Sequence, residues 1–211
     1  MNQHYFSEAP SGDFTPREIE VELAGETRRL ITAGGVFSPE HLDQGTQVLL
    51  RTLAGPDTRL RGAHEAPEAH GPILDIGCGW GPIALDAALR HPDATVWAID
   101  VNERARELTA SNAEQLGLTN VRVAASDDVP DELRFRSIRS NPPIRVGKEV
   151  LHGILREWLP RLTEGGTAHL VVAKHLGAES LQRWIGAEFP GLEVSRMARD
   201  KGFHVIAAHR P

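Results

Sequence analysis

The chain has 211 residues, 40% apolar and 25% charged, with 23 Lys and Arg against 29 Asp and Glu for a formal net charge of -6. A chain this long buries a full α/β core without metal or crosslinks, and its one cysteine, Cys78, excludes a disulfide framework and a cysteine-based zinc site. The acidic balance argues against non-specific coating of nucleic acid while leaving room for a local basic face. Residues 1–14 are polar, with no apolar signal core, and no later run approaches the roughly 20 apolar residues a membrane span needs. The expectation is a cytoplasmic protein from a reducing compartment, without a metal.

Residues 19–32 alternate apolar and polar on either side of Ala24, Gly25 and Glu26, which predicts a β-hairpin. Val48, Leu49, Leu50 and Leu53 then predict a helix over 42–53. Gly, Pro and Ala gather without periodicity up to residue 71, so 1–54 reads as an N-terminal extension of hairpin and helix packed on the core, 55–71 as a linker and 72–211 as the core. From Pro72 short apolar runs alternate with helix-length segments: 72–76, 95–99, 121–125, a basic run ending at Asn141, and 167–173. That rhythm predicts a mostly parallel sheet covered on both faces. One helix is placed over 103–117, with Ala105, Leu108, Asn112 and Leu116 on one stripe; Asn112 there is expected to be a buried amide satisfying backbone groups. A second is placed over 148–159, with Leu151, Ile154, Leu155, Trp158 and Leu159 inward, ended by Pro160. Residues 192–197 and 203–209 predict an antiparallel closing ribbon.

The sharpest local feature runs from Asp75 through Gly77, Cys78, Gly79, Trp80 and Gly81 to Pro82, a strand entering a glycine turn and then a helix. Glycines let a backbone approach a ligand closely, and free amides at the following helix start favour a polar or anionic group. The third glycine falls one residue early for a dinucleotide fingerprint. Asp100 closes the next strand, where a carboxylate can accept ribose hydroxyls, and Asp127 follows the third, within reach of an adenine amine or, beside Asp128, as an exposed loop acid. Cys78 reads as a small filler of the turn, not a nucleophile.

The fourth strand ends in Ser140, Asn141, Pro142, Pro143 and Ile144, at the edge where open α/β sheets bind ligands. An amine conjugated to a π-system is a poor nucleophile. A side-chain carbonyl from Asn141 and the Pro142 carbonyl, accepting its two N–H groups, would orient its lone pair for attack. Two prolines stiffen the loop and remove donors that would otherwise occupy those acceptors. Around this turn Arg134, Arg136, Arg139, Arg145 and Lys148 form a run without an acid; the three arginines of the strand itself, Arg134, Arg136 and Arg139, are expected either to line a nucleic-acid face or to be solvated on an irregular strand.

The set Asp75, Gly77, Gly79, Gly81, Asp100 and Asp127 resembles the S-adenosyl-L-methionine site of class I methyltransferases, and the Asn141-Pro142-Pro143 turn is similar to that of amino-methyltransferases. His4-Tyr5-Phe6-Ser7, Gly35-Val36-Phe37-Ser38, Asp43-Gln44-Gly45-Thr46 and the segment 140–152 extend the likeness over nearly the whole chain, to the small-domain methyltransferase family. Its characterised members form N2-methylguanosine in ribosomal RNA. The resemblance implies a Rossmann-like class I methyltransferase fold, a mostly parallel twisted sheet with an antiparallel closing strand and the hairpin and helix extension. It implies a cofactor held by Phe37, Thr46, Asp75, Gly77, Cys78, Gly79, Gly81, Asp100, Val101, Asp127 and Asn141, with residues 37–46 closing over it. Catalysis falls to Asn141, Pro142, Pro143 and Ile144; Arg145 and Lys148 meet RNA phosphates; and the partner is ribosomal RNA or the small ribosomal subunit.

The chain departs from the pattern in three ways. Many relatives place an aromatic residue where Ile144 stands, which leaves base stacking to another residue or none. Relatives lead into the turn with an acid and apolar residues, not arginines. Small-subunit enzymes of this type carry a second, degenerate domain before the catalytic one, where this chain has only the stretch before residue 72. A protein glutamine or small-molecule amine acceptor, and a non-catalytic cofactor- or RNA-binding module, stay open. His4, Tyr5 and Phe6 are expected to pin the N-terminal segment to the core.

Overall fold

In the computed structural model, which describes residues 15–55 and 71–211, the first alternation folds as β1 (Pro16–Leu23) and β2 (Glu26–Ala33), paired antiparallel. Ala24 and Gly25 make the turn with φ of 53° and 85°, the pair of positive values whose twist matches the flanking strands. Helix α1 (Gln44–Ala54) follows, its first turn capped by Asp43, whose carboxylate accepts the Thr46 N–H at 3.1 Å. Most of the expected linker, and His4, Tyr5 and Phe6, lie outside the described residues.

The rest builds a seven-stranded sheet from β3 (Ile73–Ile76), β4 (Val96–Ile99), β5 (Val121–Ala124), β6 (Phe135–Ser140), β7 (Leu162–Ala173), β8 (Glu193–Asp200) and β9 (Phe203–His209). The order is β5-β4-β3-β6-β7-β9-β8, parallel from β5 to β7 and antiparallel where β9 pairs with β7 and β8. Between the strands run α2 (Pro82–Arg90), α3 (Glu103–Gln115), α4 (Lys148–Trp158) and α5 (Ala178–Glu188). Alternation divides the core into layers. Leu74, Ile76 and Ile138 meet Leu151, Leu155 and Trp158 of α4 and Ile185 of α5, whereas Ile73, Val96 and Ala98 meet Ala84, Ala87 and Ala88 of α2. On that second side α1, α3 and the hairpin share a further cluster with Val171 and Val205. Among the described residues no helix is long and apolar enough to cross a membrane, and no group of three or more His, Cys, Asp or Glu could hold a metal ion.

The basic strand corrects the sequence expectation. β6 is a central strand with one register shift, at 135–137, and its Arg139 is 1% exposed, neither on a nucleic-acid face nor solvated. Register sets Arg139 between Asp75 of β3 and His169 of β7, on the face that α2 covers. Its Nε donates to Ser137 Oγ at 3.4 Å, and Nη2 lies 3.4 Å from His91 Nε2. A guanidinium with five donors is the cation best suited to such a setting. Arg136 is half-buried and caps the Glu164 carbonyl at 2.7 Å, and exposed Arg134 caps the Asp131 carbonyl at 2.7 Å.

Asn112 is the buried amide the sequence predicts. Its Oδ1 accepts the Ile31 N–H at 2.7 Å, and its Nδ2 donates to the Ile31 and Trp80 carbonyls at 2.8 and 2.9 Å. One side chain thus stitches the hairpin and the glycine turn to α3. Asn112→Ala strands buried backbone groups and should cost about 2 to 4 kcal/mol, read as a lower midpoint in chemical denaturation; an unchanged midpoint would show the stitch to be redundant.

Asp75 yields a pH signature. It is fully buried, its Oδ2 accepts the Ala84 N–H at 3.0 Å, and burial pushes its carboxyl from 3.8 up to about 8, against the lowering effects of that N–H and of Arg139. The folded state therefore binds more protons than the unfolded state between 3.8 and about 8, and stability contributed by this group falls as pH rises through that window. Asp75→Asn keeps an acceptor for Ala84 and cannot ionise. The unfolding free energy of the native chain minus that of the variant should decline across this range and level above it; a pH-independent difference rules the assignment out.

Candidate active site

The carboxyl ends of β3, β4, β6 and β7 open into a cavity of about 680 Å³, roofed by the β2–α1 connection and α4. A smaller hollow of about 440 Å³ beside α3 and β5 offers Glu114 as its one ionisable lining group and none of the sequence-predicted residues. The chemistry belongs to the larger cavity, at the sheet edge where α/β folds bind ligands.

Its floor is the glycine turn. The Gly77 and Cys78 amides donate to the Ile99 carbonyl at 2.9 and 3.0 Å, and Pro82 opens α2. Gly77 and Gly79 have φ of 74° and 60°, and nothing lies within 4 Å of where a Cβ would project from either. Both conditions call for glycine: left-handed backbone, and space left for a ligand. Asp100 stands at the rim. Its Oδ2 accepts the Gly79 N–H at 3.0 Å and its Oδ1 the Asn102 N–H at 2.9 Å, while burial pushes its pKa upward against those bonds. Each oxygen keeps a lone pair for a ligand hydroxyl. This open cradle and its carboxylate fit the amino-acid and ribose ends of S-adenosylmethionine.

The wall opposite is the Asn-Pro-Pro turn. Asn141 Nδ2 donates to Asp43 Oδ2 at 2.8 Å and to Thr46 Oγ1 at 3.1 Å. Both amide hydrogens are thereby used, and Oδ1 is the acceptor left over. The Pro142 carbonyl accepts the Ile144 N–H at 2.8 Å, with Pro143 at φ -74° and ψ 75°, an inverse γ-turn. The prolines therefore do not leave that carbonyl vacant, as the sequence predicts; one lone pair is engaged and one is free.

Between floor and wall the β2–α1 connection is tied down at both ends. Buried Asn102 donates to the Gly35 carbonyl at 2.8 Å, and Trp80 Nε1 to the Ser38 carbonyl at 3.3 Å, with Ser38 held at φ 47°. Phe37 rides on this segment. The exposed large apolar side chains among the described residues are Phe37, Val101 and Val150, and all three face the cavity. An apolar rim of this kind marks a binding site.

Of the sequence-predicted residues, Phe37, Gly77, Gly79, Asp100, Val101, Asn141, Pro142, Pro143, Ile144 and Arg145 are brought together on the cavity wall. The wall does not include the others. Thr46 stands behind Asn141 as its hydrogen-bond partner. Asp75 lies beneath the turn, clamping Ala84. Cys78 is buried there, 3.5 Å from Thr109 Oγ1, and burial pushes its thiol well above the ordinary value. Gly81 is the N-cap of α2, packed near Thr109 and Leu85. Asp127 is exposed, and its neighbour Ser126 faces the cavity instead. Lys148 is exposed at the start of α4. The cavity adds Glu157, His175 and Phe203, which sequence reasoning missed, and Asp43, which it named only within the segment 37–46. Asp43 carried a signal in its cap position; Glu157, whose carboxyl burial raises, carried none.

Comparison with known proteins places this geometry. The model of the methyltransferase small domain family matches residues 27–207. The chain is 38% identical over its whole length to the uncharacterized protein YbxB of Bacillus subtilis, whose whole length is also covered. It is 33% identical to ribosomal RNA small subunit methyltransferase C of Hahella chejuensis over 95% of this chain and 58% of that protein, so it spans little more than half of such relatives. In fold it is similar to a T. thermophilus 16S rRNA N2 methyltransferase (RsmC) in complex with AdoMet and guanosine, at a TM-score of 0.77 and 22% identity, over 96% of this chain and 52% of that one. From the hairpin to the closing strand, the chain belongs to the methyltransferase small domain family, and its chemistry is S-adenosylmethionine-dependent methyl transfer.

Proposed function

We propose that this methyltransferase acts on the exocyclic N2 amine of guanine in ribosomal RNA, presented free or in the small ribosomal subunit. One observation carries the reading: Asn141 donates both amide hydrogens to Asp43 and Thr46, which fixes its Oδ1 as an acceptor in the cavity. An acceptor fixed in this way suits an amine with two N–H bonds to orient. The name of the Hahella relative and the guanosine bound to the Thermus neighbour point the same way.

In this reading Gly77 and Gly79 receive the amino-acid end of the cofactor, Asp100 the ribose hydroxyls, and Val101 and Ser126 the adenine. The bound cofactor supplies a methyl group on a sulfonium, which leaves as a neutral thioether. The protein's own part is placement. Asn141 Oδ1 and the free lone pair of the Pro142 carbonyl accept the amine hydrogens and aim the nitrogen lone pair at the methyl carbon; the proton released after transfer passes to solvent. Proximity and preorganised acceptors supply the rate. Arg145, exposed on the cavity rim, and Lys148 one short turn beyond position the RNA through its phosphates.

The deciding experiment transfers labelled methyl to unmodified ribosomal RNA and to assembled subunits, followed by nucleoside digestion. Label in N2-methylguanosine is expected; label that survives ribonuclease on protein would overturn the RNA assignment. Asn141→Ala should lower kcat by roughly 10²- to 10³-fold with S-adenosylmethionine affinity nearly unchanged, and a parallel loss of both would remove Asn141 from acceptor orientation. Arg145→Ala should weaken RNA binding across sequences and flatten the salt dependence by about one unit of log–log slope. An unaltered slope would place the phosphate contacts elsewhere.

A further inference from the structure

If the acceptor is a base, it needs a surface to stack on, and Ile144 supplies no ring. Four aromatic side chains face the cavity: Phe37, Trp158, His175 and Phe203. Trp158 is 1% exposed, with the Arg161 guanidinium 4.4 Å above its ring and Phe135 against it, so it has no open face. Phe37 lies between Gly35, tied to Asn102, and Ser38, tied to Trp80, on the segment anchored to the residues that follow Asp100 and Gly79. His175 is exposed on the short turn after β7.

Phe203 is placed differently. It is the half-buried first residue of β9, and its ring packs on the opening turn of α1 at Gly45. A Cβ at Gly45 would stand 2.9 Å from Phe203 Cε1 and 3.0 Å from Asp43 Oδ2. The ring and the carboxylate that holds Asn141 therefore converge on one glycine, and any larger residue there would drive them apart. Asp43 Oδ2 is in turn 2.8 Å from Asn141 Nδ2. The backbone that carries the ring is also restrained. Lys201 and Gly202 turn the β8–β9 hairpin with φ of 46° and 81°, and the Lys174 N–H donates to the Gly202 carbonyl at 2.8 Å, pinning the hairpin tip to the end of β7. Such restraint is what a stacking surface requires, because a ring already fixed loses little freedom when a base arrives.

We propose that Phe203 is the stacking surface for the acceptor base, a planar purine turned out of its RNA stack, and that it takes the place of the ring absent at position 144. The proposal rests on the guanine reading above and names the side chain that makes a purine fit beside Asn141. Phe37, on the segment anchored to Asn102 and Trp80, serves the cofactor.

Guanosine binding to protein saturated with S-adenosylhomocysteine, measured by calorimetry or saturation-transfer NMR, tests the stack without turnover. Phe203→Leu fills similar volume against Gly45 without a π-face, and Phe203→Tyr keeps the face. The Leu variant should bind guanosine about tenfold to hundredfold more weakly, with S-adenosylhomocysteine affinity and thermal midpoint close to those of the native chain, and the Tyr variant should restore binding. Phe37→Leu should do the reverse, weakening the cofactor product and sparing guanosine. Equal guanosine affinity in the Leu variant, equal loss of both ligands, or no guanosine binding by the native chain overturns the proposal. Native chain that binds guanosine through Phe203 yet leaves RNA unlabelled would instead retire the ribosomal RNA reading and leave the stacking surface standing.

Discussion

Asn141 is held by a helix cap. The carboxylate of Asp43 accepts the Thr46 N–H, which closes the first turn of α1, and with the same Oδ2 accepts a hydrogen from Asn141. Local helix formation and orientation of the acceptor amide are therefore one arrangement, and neither residue is free to move without disturbing the other. An Asn side chain left to itself rotates and presents either its oxygen or its nitrogen to a ligand; bonding Nδ2 twice, to Asp43 and Thr46, selects the oxygen. The N-terminal extension thus enters the site itself, and its connection between β2 and α1 is tethered there through the bond from Asn102 to Gly35.

Beneath the cavity the electrostatics run against ionisation. Burial raises the pKa of Asp75, Asp100 and the Cys78 thiol, and the three groups lie close enough for each acid to push the thiol further. A low-dielectric floor with neutral Asp75 and a neutral thiol offers a sulfonium no counter-charge. Asp100 carries N–H bonds from Gly79 and Asn102 that favour its charged form, whereas Asp75 has only Ala84. Two acids of one glycine turn are thereby set in different places, one facing the cavity and one clamping the helix start.

The sequence displays what is local and conceals what is distant. Hairpin, strand rhythm and glycine turn depend on residues a few positions apart, and the strands fall in the order periodicity and punctuation give them, although β7 begins at Leu162, five residues ahead of the run read from 167, and α5 has no counterpart among the predicted helices. The wall of the cavity depends on pairings across the fold. Asp43 meets Asn141 across 98 positions, a distance that no periodicity encodes. Arg139 reads as a surface charge because arginine usually is one, and only the register with Asp75 and His169 shows it inside the sheet. Asp127 sits one residue from the cavity-facing Ser126, a difference set by the short turn over Ser126–Asp128 that motif position does not resolve. The Pro142 carbonyl is half engaged because Pro143 folds back into a γ-turn, a conformation two adjacent prolines permit without requiring.

The antiparallel end of the sheet supplies the remaining piece. A wholly parallel sheet would deliver only carboxyl ends of strands to this edge, each followed by a loop and a helix. Because β9 runs against β7, its amino-terminal residue arrives at that same edge, straight from a two-residue turn, and Phe203 pairs in register with Ala173. A side chain on a strand is held more firmly than one on a loop, and here it is pressed against Gly45 at the opening turn of α1. The reversed strand, the glycine at the start of α1 and the capped Asn141 meet in one corner of the cavity. The corner opposite, with Gly79, Asp100 and Val101, is built from parallel strand ends and backbone amides. Two kinds of sheet edge thus meet in one cavity: amides and a carboxylate from parallel strand ends on one side, and a restrained ring beside an oriented amide oxygen on the other.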